Sequence, residues 1–264
     1  IQIPIPPLPE QQKIAEILST VDEAIQKVDQ AIEKTERIKK GMMQELLTRG
    51  IGHTEFKDTK IGRIPKEWEA VPLNSLFDIV AGTTPSTRIK EYWERGTEKW
   101  VTPNDLNKLK GRYIENSERK ITSLAVTENR LSLLPRNSIV LSTRAPVGYV
   151  ALVRRETTIN QGCKGLVPKR IDEVASKFFY YYFLKIRYRL EMQSGGSTFK
   201  ELSKERLENI TLPYLSIEEQ VQIADVLDSI SDKIDKLAFR KEVLLRIKQS
   251  LMNDLLTGKR RVKL

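Results

Sequence analysis

The chain has 264 residues, with 45 lysines and arginines against 35 aspartates and glutamates, giving a net charge of +10 at neutral pH. One cysteine and one histidine exclude an internal disulfide, a cysteine-built zinc site and most histidine metal clusters. No apolar run reaches the roughly 18 residues of a spanning helix and no charged leader precedes a short apolar core, so a soluble, cytoplasmic chain without a membrane partner is expected. The cation excess points instead to a polyanion such as nucleic acid.

Residues 1–9, IQIPIPPLP, are extended by necessity, because four prolines fix their own angles and restrict the residues before them. Pro9 suits a first helical turn. A first long helix over 10–50 follows, with a narrow seam at Ile14, Leu18, Val21, Ile25, Val28, Ile32 and Thr35. Lys39 then stands where a strict repeat requires an apolar residue, so the seam is expected to move to Ile38, Met42 and Leu46 with a local change of winding. Gly50 and Gly52 end the helix, and His53 reads as a solvated linker residue.

Residues 61–70 are loop-like, and Pro72–Gly82 reads as a strand leading into a polar basic loop over 83–90. Residues 133–153 read as two strands joined by a turn at Arg144, and 157–168 as a strand kinked at a glycine, with Cys163 a small buried hydrophobe within it. Residues 172–192 form a helix with a large aromatic face. A glycine loop, a short helix over Lys204–Glu208 and the strand-like ITLPYL complete an α+β middle region, 53–211.

A second long helix, 216–258, opens on a capping box of Ser216 and Glu219. Its seam is Ile223, Leu227, Ile230, Ile234, Leu237, Leu244, Ile247, Leu251 and Leu255, and a basic tail, 259–264, follows. This helix repeats the first at a separation of 209 residues: Glu10 matches Glu219, Gln11 matches Gln220, Ile14 matches Ile223, Ala15 matches Ala224, and both copies end on Leu-Leu-Thr. The match includes the lead-ins Ile1–Pro4 and Ile210–Pro213. Two seams of equal length most simply pack on each other, in either mutual orientation.

Catalytic motifs are missing from the sequence. No phosphate-cradling G-x-x-x-x-G-K-S/T loop and no G-x-G-x-x-G after a strand occurs. TPND at 102–105 lacks the second proline and the aromatic of an adenine methyltransferase tetrapeptide, and EFK and ERK lack the paired acid of a nuclease. The chain is therefore expected to be non-catalytic and to hold no cofactor or metal. Binding signatures remain: Thr83, Thr84, Ser86, Thr87, Arg88 and Lys90 in one loop, Asn104 in TPND, Thr143 and Arg144 at a turn, Asn160, Gln161 and Lys164, and Ser194, Ser197 and Thr198 beside Gly195 and Gly196. Hydroxyls, amides and cations of these kinds contact phosphates and base edges. Alternatives are a coiled-coil adaptor with a basic domain and an RNA-binding protein that stacks bases on Tyr180–Tyr182.

Strings in order along almost the whole chain, among them IPPLPEQQKIAEIL, IPKEWE, AGTTPS, IVLSTRAPVGYVAL, TINQGCKGLVP and SGGSTFKELSKERLENITLP, resemble the specificity subunits of type I restriction-modification systems. The resemblance implies a target-recognition domain flanked by two long helices that pack as an antiparallel coiled coil. It implies a non-catalytic subunit that reads half of a bipartite double-stranded DNA target from the major groove and docks modification subunits. Through these it would join restriction subunits, with S-adenosylmethionine, ATP and Mg on the partners. Only the exit strand, residues 1–9, of a first recognition domain is present: either the chain is a truncated or half-size subunit that dimerises to regain two such domains, or the first domain has been removed, and of these a homodimer is expected.

Overall fold

Pro7 opens the first long helix by accepting the backbone N–H groups of Glu10 and Gln11, at 2.9 and 3.1 Å, so that the stiff lead-in turns directly into α1 (Leu8–Arg49). The structure is a computed structural model and describes residues 5–195 and 201–262. Ile1–Pro4, Ser197 and Thr198 lie outside the described residues. After α1 come β1 (Phe56–Thr59), β2 (Gly62–Pro65), β3 (Glu69–Pro72), the single turn α2 (Leu73–Leu76), β4 (Phe77–Ala81), β5 (Glu98–Val101), α3 (Pro103–Lys108), β6 (Lys120–Ile121) and α4 (Ser123–Glu128). Then follow β7 (Ile139–Ser142), β8 (Val150–Leu152), β9 (Thr158–Ile159), β10 (Cys163–Pro168), α5 (Ser176–Gln193), α6 (Lys204–Glu208), β11 (Thr211–Tyr214) and α7 (Ile217–Leu255).

The chain divides into two compact units, Ile1–Gly41 with Leu227–Leu264, and Met42–Val226. In the first, Asp22 pairs with Lys248 at 2.5 Å and Asp29 with Lys241 at 2.7 Å, so that one heptad forward along α1 is one heptad back along α7. Ile14, Val28 and Thr35 of α1 are buried, as are Leu227, Ser231 and Leu255 of α7. Thr35 and Ser231 satisfy their hydroxyls on the carbonyls of Ala31 and Leu227, four residues back.

The expected shift of the α1 seam does not occur. Ile38 is 49% exposed, whereas Lys39 is partly buried, and the strict heptad continues through Lys39 to Met42 and Leu46. A lysine serves there because its aliphatic stem covers apolar surface while its ammonium reaches solvent or a partner. In α7, likewise, Ile247 is 44% exposed and Lys248 takes the inward position.

The second unit is a mixed α/β body. Its main sheet, ordered β4-β10-β7-β8, is antiparallel throughout. A second sheet has β5 between β6, antiparallel, and β9, parallel. Gly165 of β10 leaves room for Leu134, whose Cδ2 would stand 2.2 Å from a Cβ at that position. Helix α5 buries its whole aromatic run, Phe178–Phe183, with perpendicular contacts from Phe178 to Trp68 and Phe179 and from Phe179 to Phe77. Each such ring contributes about 1.5–3 kcal/mol over its exposed state. Tyr180, Tyr181 and Tyr182 are thereby core residues, which removes the stacking face of the RNA-binding alternative.

Three local expectations are corrected. Residues 61–70 are not loop: β2 pairs with β1, and β3 with β11, the strand that precedes α7. Pro72–Gly82 begins as the helical turn α2, because Leu73 and Leu76, three apart, are both buried and Pro72 starts the turn. The strand expected over 157–168 is two strands in different sheets, broken by the turn at Asn160–Gly162.

His53 is not a solvated linker residue. Its ring lies 3.0 Å from Glu67 through Nδ1 and 2.9 Å from Glu219 through Nε2, with 13% of its side chain exposed. Ser216 does cap α7, accepting the Glu219 N–H at 3.3 Å. The Glu219 carboxylate does not complete the capping box; it accepts the Ile51 N–H, His53 Nε2 and the indole N–H of Trp68. Gly50, with a φ of +66°, ends α1 against these groups; a Cβ there would stand 2.4 Å from Glu219 Oε1 and 2.8 Å from Trp68.

Candidate nucleic-acid interface

Several of the polar clusters singled out in the sequence meet around one turn. Asn160 turns the chain between β9 and β10: its Oδ1 accepts the Gly162 N–H at 2.6 Å and its backbone carbonyl accepts the Cys163 N–H at 2.9 Å. This is the local side-chain turn for which asparagine is favoured. The Gly162 carbonyl accepts the backbone N–H groups of Thr143 and Arg144, at 2.8 and 3.1 Å, and the Thr143 hydroxyl at 3.3 Å. On the other side Thr83 donates its N–H to Ile159, and Gly82 packs so closely that a Cβ would fall 1.9 Å from the Asn160 carbonyl oxygen. Pro103, at the start of α3, closes the cluster, since a Cβ on Gly162 would stand 2.9 Å from its Cγ.

Glu201 and Leu202 join the cluster through Arg144 and Thr143. Glu201 places Oε2 3.1 Å from Arg144 Nε and donates its backbone N–H to Gly195, while Leu202 donates to the Thr143 carbonyl at 2.8 Å. Lys164 lies in the same charge cluster. Burial pushes its pKa down first, Glu201 pulls it back up, and Arg144 lowers it further. The β7–β8 connection that carries Arg144 is stapled by Ser142, which donates its hydroxyl to the Pro146 carbonyl and accepts the Tyr149 N–H; the Ala145–Pro146 peptide is cis. The Arg187 guanidinium lies 3.5 Å from the centroid of the Tyr149 ring.

Loop 82–90 is held from below by two tryptophans. Trp100 donates its indole N–H to the Thr83 carbonyl at 2.9 Å, and Trp93 donates to Ser86 at 3.0 Å. The two rings stand perpendicular at 5.0 Å, and the exposed Arg119 lies over Trp93 at 3.9 Å from its centroid. Such stacking orients a guanidinium and leaves its edge N–H groups available to an anion. Arg119, Trp93, Trp100 and Glu201 were not singled out by the sequence. Two tryptophans flanking a polar stretch were the available signal for the loop support, and Arg119 and Glu201 carried none.

The expected binding residues fall into distinct situations. Thr83, Arg144 and Gln161 are exposed on the junction. Ser86, Thr87, Arg88 and Lys90 are exposed further along their loop, with Lys90 opening a 3-10 turn. Thr84 is partly buried, with its hydroxyl oxygen unpaired. Thr143 is fully buried, so its hydroxyl holds the Gly162 carbonyl rather than facing a ligand. Asn160 commits its carboxamide oxygen to the turn, and Asn104 donates to Glu118 at 3.1 Å. Ser194 donates to the Glu191 carbonyl. Among the described residues no group of three or more His, Cys, Asp or Glu side chains is arranged to hold a metal ion, and no helix is long and apolar enough to cross a membrane.

The model of the type I restriction modification DNA specificity domain matches residues 1–37 and 65–246. The type I restriction enzyme MjaIX specificity subunit of Methanocaldococcus jannaschii is 42% identical over 203 residues, 76% of this chain and 46% of that protein. The putative MjaX specificity subunit of the same organism is 35% identical over 266 residues, the whole of this chain and 60% of its own length. The chain thus spans about half to three-fifths of these curated relatives. Among solved structures, the HsdS subunit of Thermoanaerobacter tengcongensis has the same fold at a TM-score of 0.60 and 22% identity, over 97% of this chain and 60% of that one. A chain from a study of complex assembly and conformational transition of the type I R-M system reaches 0.67 at 22% identity, over 97% and 61%.

Proposed function

Because the chain belongs to the type I restriction-modification DNA specificity domain family, we propose that residues 53–211 form a target-recognition domain that reads one half of a split duplex sequence. The observation that supports this most directly is the junction at Gly162, which ties loop 82–83, the Arg144 turn and the Asn160–Lys164 turn into one polar surface on a chain of net charge +10. A surface built this way brings cations to phosphates for affinity and amides to base edges for selection. Arg144, Gln161, Thr83 and the 86–90 loop are the residues assigned to contact; Asn104, Thr143, Asn160 and Lys164 support them, and Ser194, with Ser197 and Thr198 from the sequence, completes the assignment.

In this reading residues 1–9 are the exit strand of another recognition domain, 10–50 and 216–258 are the spacer helices, and 259–264 is a basic tail. The spacers pair as an antiparallel coiled coil, which the heptad-spaced pairs Asp22–Lys248 and Asp29–Lys241 favour. The chain is itself non-catalytic and acts in the cytoplasm. It docks modification subunits, which supply S-adenosylmethionine, and through them restriction subunits, which use ATP and Mg. A homodimer presents two recognition domains related by two-fold symmetry.

The test is to reconstitute the chain with its modification subunits, treat a random DNA pool and map the methylated adenines. A split motif is expected, symmetric for a homodimer, with duplex affinity falling steeply as salt rises. Methylation without a sequence motif, or a flat salt response, would remove this reading.

A further inference from the structure

The edge and the face of the Trp93 ring serve two different neighbours. Its indole N–H donates to the Ser86 carbonyl at 3.0 Å, inside loop 82–90, while the Arg119 guanidinium lies over the ring at 3.9 Å from its centroid. Trp100, whose own indole N–H holds the Thr83 carbonyl, stands perpendicular to Trp93, with its centroid 5.4 Å from the same guanidinium. The ring that supports the loop is therefore also the ring that carries the cation.

Arg119 is fixed at its main chain as well. Its carbonyl accepts the hydroxyl of the buried Ser117 at 2.7 Å, and that hydroxyl accepts the backbone N–H of Trp100 at 3.0 Å, which ties the residue to β5. The turn carrying Trp93 is fastened to the same place. Thr122 donates its N–H to the Tyr92 carbonyl and its hydroxyl to that of Glu91, and a Cβ on Gly96 would stand 2.7 Å from the carbonyl carbons of Lys120 and Ile121. The carboxylate next in sequence, Glu118, is committed elsewhere, to Lys108 at 2.8 Å and Asn104 at 3.1 Å. Arg119 is thus an exposed cation aimed by its backbone and by an aromatic face, and such stacking occupies the flat of the guanidinium rather than its N–H edge.

We propose that Arg119 binds a backbone phosphodiester of the duplex, and that Trp93 is the positioning residue that passes this contact on to loop 82–90, fixing where the loop falls along the groove. The inference rests on the reading of residues 53–211 as a duplex-reading domain, and adds to it a phosphate site outside the Gly162 junction. A guanidinium edge offers two parallel N–H groups to phosphate oxygens. Held by Trp93 and Ser117 beforehand, the side chain loses little freedom on binding. A phosphate contact carries no sequence information, but it sets register and orientation. Because one rigid ring joins Arg119 to the Ser86 carbonyl, register fixed at the phosphate is also fixed for the exposed Arg88 and Lys90 of the loop.

The test titrates the full chain, reconstituted with its modification subunits, against a fluorescent duplex carrying the mapped target and another of scrambled sequence, at several salt concentrations. Arg119→Gln, at an exposed position, is expected to weaken both duplexes about tenfold, the effect of one charged hydrogen-bonding group, and to flatten the slope of log affinity against log salt by about one unit. Arg119→Lys keeps the charge without the planar fork, so it should recover the slope and only part of the affinity. Trp93→Phe keeps a ring face beneath Arg119 and loses the N–H to Ser86. It is expected to show the wild-type slope with preference for the target reduced about fivefold, the effect of one neutral hydrogen bond. A wild-type slope in Arg119→Gln, or a loss confined to the target duplex, overturns the phosphate assignment, and full discrimination in Trp93→Phe overturns the role of the ring. A wild-type chain that binds neither duplex removes the duplex-reading domain itself, an outcome seen before any variant is compared.

Discussion

Glu219 accepts the indole N–H of Trp68 across 151 positions of sequence, at 3.0 Å, with 1% of the tryptophan exposed. The same carboxylate takes the Ile51 N–H and His53 Nε2, each at 2.9 Å, and so ties the end of α1, the β2–β3 connection and the start of α7 together. Replacing it with alanine orphans three donors in a largely buried place. Glu219→Ala is expected to cost about 2–4 kcal/mol in urea unfolding, and Glu219→Gln less, because an amide oxygen still accepts. A loss within about 0.5 kcal/mol, the range of an ordinary surface substitution, would show that the three donors find water instead.

A second fastening of the α1 end is pH-dependent. Lys185 of α5 donates to the Leu47 carbonyl at 3.0 Å and to the Thr48 hydroxyl at 2.7 Å, and burial lowers its pKa from the ordinary lysine value to about 8. Between that value and 10.5 the unfolded chain holds a proton that the folded chain has released, so stability attributable to this group rises with pH across the window and is flat below it. Urea midpoints of the wild type and Lys185→Met, compared at pH 7, 8.5 and 9.5, are expected to move in favour of the wild type as pH rises. Parallel profiles would place the ammonium in water.

How far each feature could be read from the sequence follows from the range of the interaction behind it. The repeat, the aromatic α5 and the two strands around Arg144 are set by periodicities within one segment, and the structure contains all three. Helix α2 reads as strand because Leu73 and Leu76 sit in an otherwise extended apolar run, and only packing distinguishes a turn there. Lys39 reads as a break because a seam position is judged by its head group, whereas in the structure the residue is partly buried at that position. Nothing near His53 announces Glu67 or Glu219, since its environment is assembled from three separate segments. Loop 82–90 was legible as polar, but its support by Trp93 and Trp100 was not.

Within the loop cluster Glu201 pairs with Arg144 and partly offsets the lowering of the Lys164 pKa that burial causes. Glu201→Gln leaves the backbone pairing to Gly195 available and removes the negative charge. Affinity for a duplex lacking any target motif is therefore expected to rise, and the slope of log affinity against log salt to steepen by about one unit as a further phosphate contact becomes available. Filter binding between 50 and 200 mM salt measures both. If the slope is unchanged, Arg144 does not face phosphate when released.

Gly82 is the point where the β4 exit crosses the β9–β10 turn. An added methyl would lie 1.9 Å from the Asn160 carbonyl oxygen and 2.7 Å from that of Ile159, both backbone atoms, so no side-chain rotation relieves it. Gly82→Ala must separate loop 82–90 from the Asn160 turn, breaking the Thr83 N–H to Ile159 bond and drawing the Thr83 carbonyl away from Trp100. The α5 core meets β4 at its far end, through Phe77, and is expected to survive. The variant should therefore fold, with stability reduced by about 1–3 kcal/mol, while discrimination between target and non-target duplexes collapses. Gly111→Ala, where a Cβ meets nothing within 4 Å, is the matched control and should behave as wild type. Full discrimination in Gly82→Ala would mean that loop 82–90 and the Asn160 turn read the duplex independently of each other.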